Sequence, residues 1–346
     1  MLKAEVLAPS RLGPAELQAW SQMVAATPHL QRAFFSHGFA RACEMAHGLA
    51  HVGVLHESGA IRGFLPFQFR TPWHARLRLA ERIGGELCDN AGLVAQSGFR
   101  IDPAILLRCC RLGGLFISHL PEEQEAFGLT AMAGRIGHHI DLSAGSAHYF
   151  AALAASRKSF VQDTERRLRR AARDYGPLVF TYVVRPERDA VLRLIEDKRQ
   201  QYRRTGASDV FADPHRLRLI EVLLDLPASD CELVLTTLAA GERVLARHLG
   251  LLHAGVLSYW FPVYDTEAQK VSPGRLLLWH TIQQADTHGI RLVDRGEGDS
   301  EAKRDFSTGT TRFGQAYFSA GTPRAGLARL WQAAEWRLGK MQANAR

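Results

Sequence analysis

The spacing of apolar residues along the chain predicts the same hairpin twice. In the first half, apolar residues over His51 to Leu55 and over Ile61 to Phe69 predict two strands separated by a Ser-Gly turn. In the second half, Leu233 to Leu238 and Val244 to Leu252 predict two more strands separated by an Ala-Gly-Glu turn. Glycine suits the backbone of a tight turn, so each pair of strands is expected to form a β-hairpin.

A helix and a further strand follow each predicted hairpin. Asp102-Pro103 and Ser272-Pro273 each place a capping residue before a proline, which is favoured at the first position of a helix, and an apolar stripe follows. Strands are then predicted at Leu115 to Ser118 and at Ile290 to Asp294. The shared order of hairpin, helix and strand, at a shift of about 170 to 182 residues, indicates an internal duplication.

The duplicated pattern predicts an α/β fold with mixed sheets, built from two tandem units packed together. We expect an N-terminal domain over residues 1–145 and a C-terminal domain over residues 146–346. The second domain is predicted to begin with a central helical insertion at about residues 148–228. Individual helices are predicted at Pro186 to Arg204, Asp213 to Leu226 and Arg324 to Gln342.

The composition indicates a folded protein with a large core, since 46% of the residues are hydrophobic and 23% are charged. No run of 18 apolar residues occurs and no apolar run follows Met1, so we expect a cytoplasmic protein. Five cysteines without paired CxxC spacing predict buried thiols. The histidines form no HExxH motif, and the adjacent His138 and His139 cannot share a helical face, so no metal site is expected.

The net charge of +8 favours an anionic partner. Much of the excess lies in one run, whose members are Arg157, Lys158, Arg166, Arg167, Arg169, Arg170 and Arg173. One interpretation is a solvated connector helix, because single-sign helical faces are common on surfaces. The other is a clamp for a nucleotide phosphate or for tRNA.

The segment Val256 to Leu278 carries the most specific chemistry. It predicts a strand, a loop and a helix that starts at Pro273-Gly274-Arg275. A helix start has several unpaired N–H groups and a positive partial charge, so it binds phosphate readily. Gly274 permits a close approach to the backbone, and Lys270 and Arg275 add positive charge. An ordinary capped helix is the alternative interpretation.

The equivalent helix of the first half differs at its start. There Asp102 precedes the proline, and its carboxylate would occupy the N-terminal donors and repel phosphate. The sequence therefore predicts that only the second unit binds an anionic cofactor.

These residues resemble the C-terminal signature of the CelD/BcsL-type acetyltransferases. That family belongs to the GNAT superfamily, is similar in layout to the FemAB aminoacyltransferases and is often linked to exopolysaccharide or cellulose production. One departure is that Ala302 precedes Lys303, where the family has a Tyr-Lys pair. The matching positions are Tyr264, Asp265, Ser272 to Leu278, Ile282, Ala285, Gly289, Asp294, Gly296 and Lys303.

The resemblance implies an acyltransferase that uses acyl-CoA, either acetyl-CoA or a longer species, without a metal. The diphosphate would bind at the helix start formed by Ser272, Pro273, Gly274 and Arg275. The acyl carbonyl would meet backbone N–H groups of the preceding strand, and an amine would attack the thioester directly. The residues expected in that strand are Trp260, Phe261 and Val263.

An attacking amine must lose a proton, so the resemblance also directs attention to ionisable groups near the strand ends. Asp294 is the first candidate base and otherwise caps a turn. His248 is a second candidate and otherwise a core histidine. Asp89 would enter from the first unit and otherwise forms a turn. Tyr264 would protonate the departing thiolate, and Lys303 would hold the substrate.

Three classes of function remain open from the sequence. The first is transfer of an acyl group from acyl-CoA or an acyl carrier protein to an amine, or a hydroxyl, of a small molecule or sugar, as in exopolysaccharide biosynthesis. The second is a FemAB-like aminoacyl-tRNA-dependent transferase, which predicts salt-dependent RNA binding. The third is a non-catalytic partner of a polysaccharide synthase. For the first class, we expect alanine substitutions within the basic run to leave donor affinity mostly intact.

Overall fold

The computed structural model describes residues 2–226 and 230–321, apart from the side chain of Ala133. The predicted helix Arg324 to Gln342 lies outside the described residues. The strands are β1 Leu2–Leu7, β2 Ala50–Glu57, β3 Ala60–Gln68, β4 Leu79–Arg82, β5 Val94–Ala95, β6 Gly114–Pro121, β7 Met132–Asp141, β8 Leu178–Val184, β9 Glu232–Ala240, β10 Arg243–His253, β11 Val256–Tyr264, β12 Leu292–Glu297 and β13 Gly309–Ser319.

Ten α-helices occur among the described residues. They are α1 Pro14–Ala26, α2 His37–His47, α3 Pro72–Leu77, α4 Pro103–Cys109, α5 Ser146–Ser156, α6 Lys158–Tyr175, α7 Arg188–Thr205, α8 Pro214–Asp225, α9 Pro273–Gln283 and α10 Glu301–Arg304. No described helix is long and apolar enough to span a membrane.

The chain divides into two compact units that do not coincide with its two halves. Among the described residues, unit 1 comprises residues 2–30, 43–134 and 312–321, and unit 2 comprises residues 31–42, 135–226 and 230–311. The compact units thus change over at residue 134 rather than at the predicted residue 145, and each takes a segment from the other half of the sequence. The assignment of separate domains to residues 1–145 and 146–346 stays a prediction.

Unit 1 contains a mixed sheet in the order β1-β2-β3-β4-β6-β13, with β5 paired to β3. The predicted first hairpin is confirmed, because β2 and β3 run antiparallel across a turn in which Ser58 and Gly59 have φ of 52° and 83°. Glycine adopts such a positive φ without strain, which explains the turn. The ring of Trp20 in α1 contacts that of Phe64 in β3 at 4.8 Å between centroids, and both are buried in the core.

Within unit 2, the strands are hydrogen-bonded in the order β7-β12-β11-β10-β9-β8. The predicted second hairpin is confirmed by the antiparallel pair β9 and β10. Helix α9 packs on β9 and β10 through its apolar face. The core of unit 2 includes Leu257, Tyr259, Leu278, Trp279, Ile282 and Val293.

The two units repeat one arrangement of strands. In unit 1, β4 and β6 run parallel over three residue pairs, and in unit 2, β11 and β12 do the same. A helix joins the two strands in each case, α4 in the first and α9 in the second. This agreement extends the duplication that was predicted from the hairpins and the two proline-started helices.

The predicted helical insertion contains a strand as well as helices. Helices α5, α6, α7 and α8 account for most of it, but Leu178–Val184 forms β8, which pairs with β9 along its full length. The predicted helical insertion thus includes one strand that the sequence did not indicate. Strand β8 is rich in β-branched and aromatic residues, which favour a sheet edge when a partner strand is present.

The five cysteines carry free thiols. Cys43, Cys88, Cys110 and Cys231 are buried as predicted, whereas Cys109 is only partly buried. Burial raises the pKa of the Cys88 thiol to about 12. The Cys88 thiol is therefore uncharged near neutral pH and packs as a small apolar group.

Candidate functional site

The central strands of unit 2 part from each other. Strand β11 pairs with β12 only through Val256, Leu257 and Ser258, which lie opposite Leu292, Val293 and Asp294. Beyond these pairs β11 continues to Tyr264 without a partner on that side among the described residues. The parting opens one edge of β11, where an extended ligand can reach backbone groups.

A β-bulge lies where the two strands part. Between Ser258 and Phe261, β11 has two residues, Tyr259 and Trp260, opposite the single residue Gly250 of β10. Such a bulge bends its strand and re-aims the backbone groups. It therefore turns β11 away from β12 at this point.

His248 holds the bulge in place. Its Nε2 accepts a hydrogen bond of 3.1 Å from the N–H of Trp260, so its Nδ1 carries the proton and faces the Thr236 hydroxyl at 3.3 Å. The ring stacks on Tyr259 with 3.7 Å between centroids, and no part of the residue is exposed. Burial lowers the pKa of His248 to about 3. Both ring nitrogens are thus engaged in positioning the strand.

The edge of β11 that faces the gap carries few amide donors. The N–H of Asp265 donates to Leu245 of β10 at 2.8 Å, so strand alternation directs the amides of Val263 and Phe261 towards β10 as well. Trp260 is bonded to His248, and Pro262 has no N–H. Of the residues after the bulge, only Tyr264 directs an amide towards the gap.

Lys198 approaches the same edge of β11 from α7. Its Nζ donates to the carbonyl of Pro262 at 3.0 Å and to Gln201 at 3.2 Å, and it lies 5.3 Å from the Tyr202 ring centroid. Burial lowers the pKa of Lys198 to about 8. The amine is consequently able to lose its proton at mildly alkaline pH.

Unpaired polar atoms occur on β11 and β12 where the two strands part. The hydroxyls of Ser258 and Tyr259 and the Nε of Arg295 are buried and have no hydrogen-bond partner among the described residues. The Arg295 guanidinium lies 5.9 Å from the centroid of the Tyr259 ring. A buried polar atom without a partner costs free energy, so these groups suit a polar ligand at this place.

The start of α9 lies beside the end of β11. A Cβ added to Gly274 would lie 3.9 Å from the ring of Tyr264, which is 41% exposed. The N–H of Gly274 has no acceptor among residues 2–226 and 230–321. Gly274 therefore presents a free amide next to Tyr264.

The helix start offers fewer free amides than predicted. Pro273 has no N–H, and the N–H groups of Arg275 and Leu276 both donate to the Ser272 carbonyl, at 2.9 and 3.2 Å. Ser272 has a left-handed backbone, with φ of 53°, and a tight turn precedes it, which explains these bonds. The several free amides that the sequence indicated are therefore reduced to the one of Gly274.

The start of α4 is capped by Asp102, as predicted. One carboxylate oxygen of Asp102 accepts hydrogen bonds from Ala104 and Ile105 at 2.9 and 3.0 Å. The first-turn amides of α4 are thus already satisfied, and a negative charge lies among them.

Arg275 does not point to a free position. Its guanidinium donates to Asp163 of α6 at 2.9 Å and lies 3.7 Å from Asp305, and it stacks 4.6 Å from the centroid of Phe160. The predicted contribution of Arg275 to phosphate binding is therefore replaced by an ion-paired role that joins α6 to α9.

Other cations lie beside the start of α9. Arg167 donates to the Lys270 carbonyl at 3.1 Å and to the Ser272 hydroxyl at 3.0 Å. We call the adjoining concavity of about 690 Å³ the arginine cleft, and it is lined by Arg166, Arg167, Arg169, Arg170, Arg173 and Lys270. The basic run is thus not only a solvated face, because part of it contacts the predicted cofactor helix.

Asp294 lies in the predicted strand but is ion-paired. Its Oδ2 accepts from Arg32 at 2.6 Å and its Oδ1 accepts from the Gly296 N–H at 2.9 Å, and both charged side chains are buried. The predicted role of Asp294 as the base thus lacks geometric support.

The two remaining predicted residues, Lys303 and Asp89, belong to different units. Lys303 donates to the carbonyls of Gly296 and Glu297 at 3.2 and 2.7 Å, which fastens the end of β12. Asp89 belongs to unit 1, where it follows the short helical turn Gly85–Leu87 and is partly buried. Their substrate and catalytic roles stay predictions.

Sequence reasoning missed Lys198, Arg32, Ser258, Tyr259 and Arg295. Lys198 lies on an amphipathic helix among many charges, and Arg32 is distant from Asp294 in the chain, so neither has a local signal. Ser258 and Tyr259 lie within the segment Val256 to Leu278 that was singled out, and their polar groups on an otherwise apolar strand are the signal that would have found them.

Comparison with protein families assigns a domain to this part of the chain. The family model described as "Acetyltransferase (GNAT) domain" matches residues 158–304. These residues include α6, the arginine cleft, β11, α9 and β12. Residues 158–304 are therefore similar to a GNAT-type acetyltransferase domain. Comparison with curated protein sequences gives no significant match.

Solved structures show similarity over nearly the whole chain. FemX is 12% identical with a TM-score of 0.55, and the match covers 89% of this chain and 96% of FemX. A tandem GNAT protein from the clavulanic acid biosynthesis pathway is 13% identical with a TM-score of 0.50, covering 93% and 99%. A conserved protein of unknown function from Bacteroides thetaiotaomicron VPI-5482 is 10% identical with a TM-score of 0.52, covering 92% and 100%. The predicted fold of tandem GNAT-like units is confirmed.

Proposed function

We propose that unit 2 transfers an acyl group from acyl-CoA to an amine of a small-molecule or sugar acceptor. The observation that carries this proposal is the parting of β11 and β12 at a bulge, with the free amide of Gly274 at the far end of the open edge. One extended donor would span that edge, with its diphosphate near Gly274 and its thioester near the unpaired groups of Ser258 and Tyr259.

The reaction requires an amine, a thioester and a proton acceptor. The acceptor nitrogen forms a bond to the acyl carbon, the bond from that carbon to sulfur breaks, and the departing thiolate takes up a proton. Donors that face the developing oxyanion are worth about 3 to 4 kcal/mol each. The buried hydroxyls of Ser258 and Tyr259 are our candidates for this role. Tyr264 lies beside Gly274 at the diphosphate end of the edge, about 20 Å of strand away from Ser258, so it is not placed to protonate the thiolate.

Lys198 is better placed than Asp294 or His248 to accept the amine proton. His248 has both ring nitrogens engaged, and Asp294 is ion-paired, whereas Lys198 lies at the open edge of β11 with a pKa lowered to about 8 by burial. A group with a pKa close to the working pH is an efficient general base. We therefore assign the base to Lys198.

Gly274→Asp tests the donor site. A carboxylate at this position would repel the diphosphate, and the added Cβ has room, so binding of acetyl-CoA should weaken by on the order of tenfold or more while the fold persists. Isothermal titration with acetyl-CoA and a longer acyl-CoA measures the change. For the wild type, saturation at 100 times the dissociation constant should add about 2.7 kcal/mol of stability in a thermal shift experiment.

His215→Asp is the matched control, because His215 is exposed at the same second position of a proline-started helix, α8. That substitution should leave acyl-CoA affinity unchanged. The proposal is contradicted if the wild type binds no acyl-CoA, or if both variants bind as the wild type does.

The resemblance to CelD/BcsL-type proteins supports a more specific version of the proposal. A cytoplasmic enzyme of exopolysaccharide or cellulose biosynthesis would acylate an amino sugar, or a hydroxyl, before or during polymer assembly. A panel of amino sugars, simple sugars and amino acids, assayed by release of the CoA thiol, tests this version. An enzyme active only on non-sugar amines would contradict it.

Aminoacyl-tRNA-dependent transfer is the second candidate, and the arginine cleft favours it. Several arginines of the cleft are exposed on one face of α6, where they are accessible to the phosphates of an RNA. That function predicts tRNA binding whose affinity falls steeply with salt. Fluorescence anisotropy with labelled tRNA between 50 and 200 mM salt, roughly the range over which such contacts are lost, distinguishes the two functions.

A further inference from the structure

The arginine cleft carries more positive charge than its own carboxylates balance. Asp163 accepts from Arg166 and, at 2.7 Å, from Arg167. Asp174 accepts from Arg170 and Arg173 at 3.1 and 2.8 Å. Arg169 and Lys270 have no carboxylate partner among the described residues.

Six cations against these two carboxylates leave an excess of about four positive charges. Such a concentration of positive charge attracts a ligand with several negative charges. The cleft thus calls for a small polyanion.

The size of the cleft favours a nucleotide over a macromolecule. Arg166 and Arg173 are seven residues apart on α6, which is about 10 Å along a helix. The volume of about 690 Å³ is that of a small-molecule site. A carrier protein would instead need roughly 800 Å² of surface on its partner for a stable interface.

The cleft is continuous with the proposed diphosphate position. Arg167 lines the cleft and also bonds to the Ser272 hydroxyl, two residues before Gly274. Since α9 offers a single free amide, most of the charge that balances a donor's phosphates must come from these side chains. The expectation that the basic run leaves donor affinity unchanged is revised on this ground.

We propose that the arginine cleft binds the 3′-phosphorylated nucleotide of coenzyme A, so that unit 2 selects a CoA thioester over a donor that carries phosphopantetheine alone. The proposal rests on the proposed function. A diphosphate has about two negative charges and a terminal phosphate adds about 1.5 to 2 more at neutral pH, which matches the excess positive charge. Phosphopantetheine attached through a phosphodiester has only about one, and would leave the cleft unbalanced.

The test compares CoA with 3′-dephospho-CoA by isothermal titration, using the full chain. The wild type should bind CoA on the order of tenfold more tightly, because a charge-assisted hydrogen bond is lost with the 3′-phosphate. Arg169→Gln combined with Lys270→Gln removes the two cations that lack a carboxylate partner. In this double variant the ratio of the two affinities should fall towards one.

Arg193→Gln combined with Arg203→Gln is the matched control, since both residues are exposed on α7 and the change in net charge is the same. This control should keep the wild-type ratio. A thermal melt of each variant establishes that the fold persists.

The outcomes separate this inference from the proposed function. If the wild type binds CoA and 3′-dephospho-CoA equally well, the inference fails and the acyltransferase proposal stands. If neither ligand binds, the proposed function itself fails. If the double variant keeps the CoA preference but loses binding of labelled tRNA, the cleft is an RNA site and the inference is overturned.

Discussion

At the scale of single residues, burial decides which groups near β11 carry a proton. His248 is fully buried and neutral, because desolvation penalises the imidazolium and both nitrogens have partners. Lys198 is partly buried, so its ammonium is destabilised but still present at neutral pH. The first residue therefore shapes the strand, and the second is able to exchange a proton.

The assignment of the base to Lys198 predicts a pH dependence of activity. Because only the neutral amine accepts a proton, kcat should rise as the pH passes through about 8. Lys198→Met should lower kcat by about 10²-fold or more and abolish this rise.

Lys198→Arg controls for the bond to Pro262, because an arginine keeps a donor there but does not lose its proton. It should be as inactive as the methionine variant while acetyl-CoA affinity stays within about twofold of the wild type. Measurement of kcat from pH 6 to 10, roughly two units either side of the Lys198 pKa, tests whether Lys198 is the general base. A methionine variant with an unchanged profile would rule out Lys198.

His248 predicts a pH dependence of stability. Its pKa is lowered in the folded state, so below about pH 6.5 the unfolded chain binds a proton that the folded chain does not. The resulting stability is present above that pH and is lost as the pH falls towards 3, by about 1.4 kcal/mol per pH unit.

Urea unfolding at pH 7 and 5.5 of the wild type and of His248→Asn measures this contribution. The amide of the variant does not titrate, so the variant should lose about 1.3 kcal/mol less on acidification than the wild type does. His148→Asn, at an exposed histidine of α5, should behave as the wild type. Equal losses in all three proteins would contradict the assignment.

At the scale of elements, the bulge of β11 depends on a glycine in the neighbouring strand. A Cβ added to Gly250 would lie 2.6 Å from Cε1 of His248 and 2.6 Å from the Ser258 carbonyl oxygen. These distances are too short for any side chain. Gly250 thus allows the His248 ring to sit under the bulge.

Gly250→Ala should destabilise the protein by about 1 to 3 kcal/mol, because the new methyl group forces the ring or the strand to move. Gly274→Ala is the control, since its Cβ would meet only Tyr264 at an ordinary distance, and it should cause no loss. Urea unfolding compares the two, and acetyl-CoA titration of Gly250→Ala should show weakened binding. A fully stable Gly250→Ala protein would show that the bulge tolerates displacement.

The starts of the helices and strands show which features neighbouring residues are sufficient to predict. The starts of α4, α8 and α9 agree with the predicted positions because a capping residue and a proline act within one turn. Strand β8 was missed because its exposed edge residues gave no regular pattern and its structure depends on β9. The free amides of α9 were overestimated because the left-handed Ser272 is not visible in sequence.

At the scale of the whole molecule, neither half of the sequence contains a complete unit. Strand β7 follows β6 in the chain but pairs with β12 in unit 2. Strand β13 follows β12 but pairs with β6 in unit 1. The segment 31–42, which includes Arg32, also belongs to unit 2.

A fragment of residues 146–346 should therefore fail to fold as unit 2 does. It lacks β7 and leaves Asp294 without Arg32, and removal of one partner of a buried ion pair costs about 3 to 5 kcal/mol. Near-ultraviolet circular dichroism and urea unfolding should show no cooperative transition, in contrast to the full chain. A fragment with a sharp transition and acetyl-CoA affinity would support the domain boundary predicted from the sequence.

The sequence alone determined the features that depend on neighbouring residues: the repeated hairpins, the proline-started helices, the capped start of α4 and the place of Gly274. Tertiary structure alone decided the features that join distant residues. The Arg32–Asp294 pair, the engagement of His248, the approach of Lys198 and the arginine cleft each bring together side chains from separate elements. The features predicted from sequence depend on backbone geometry over a few neighbouring residues. The local charge, the burial and the proton affinity of a side chain depend on the groups that the fold brings next to it.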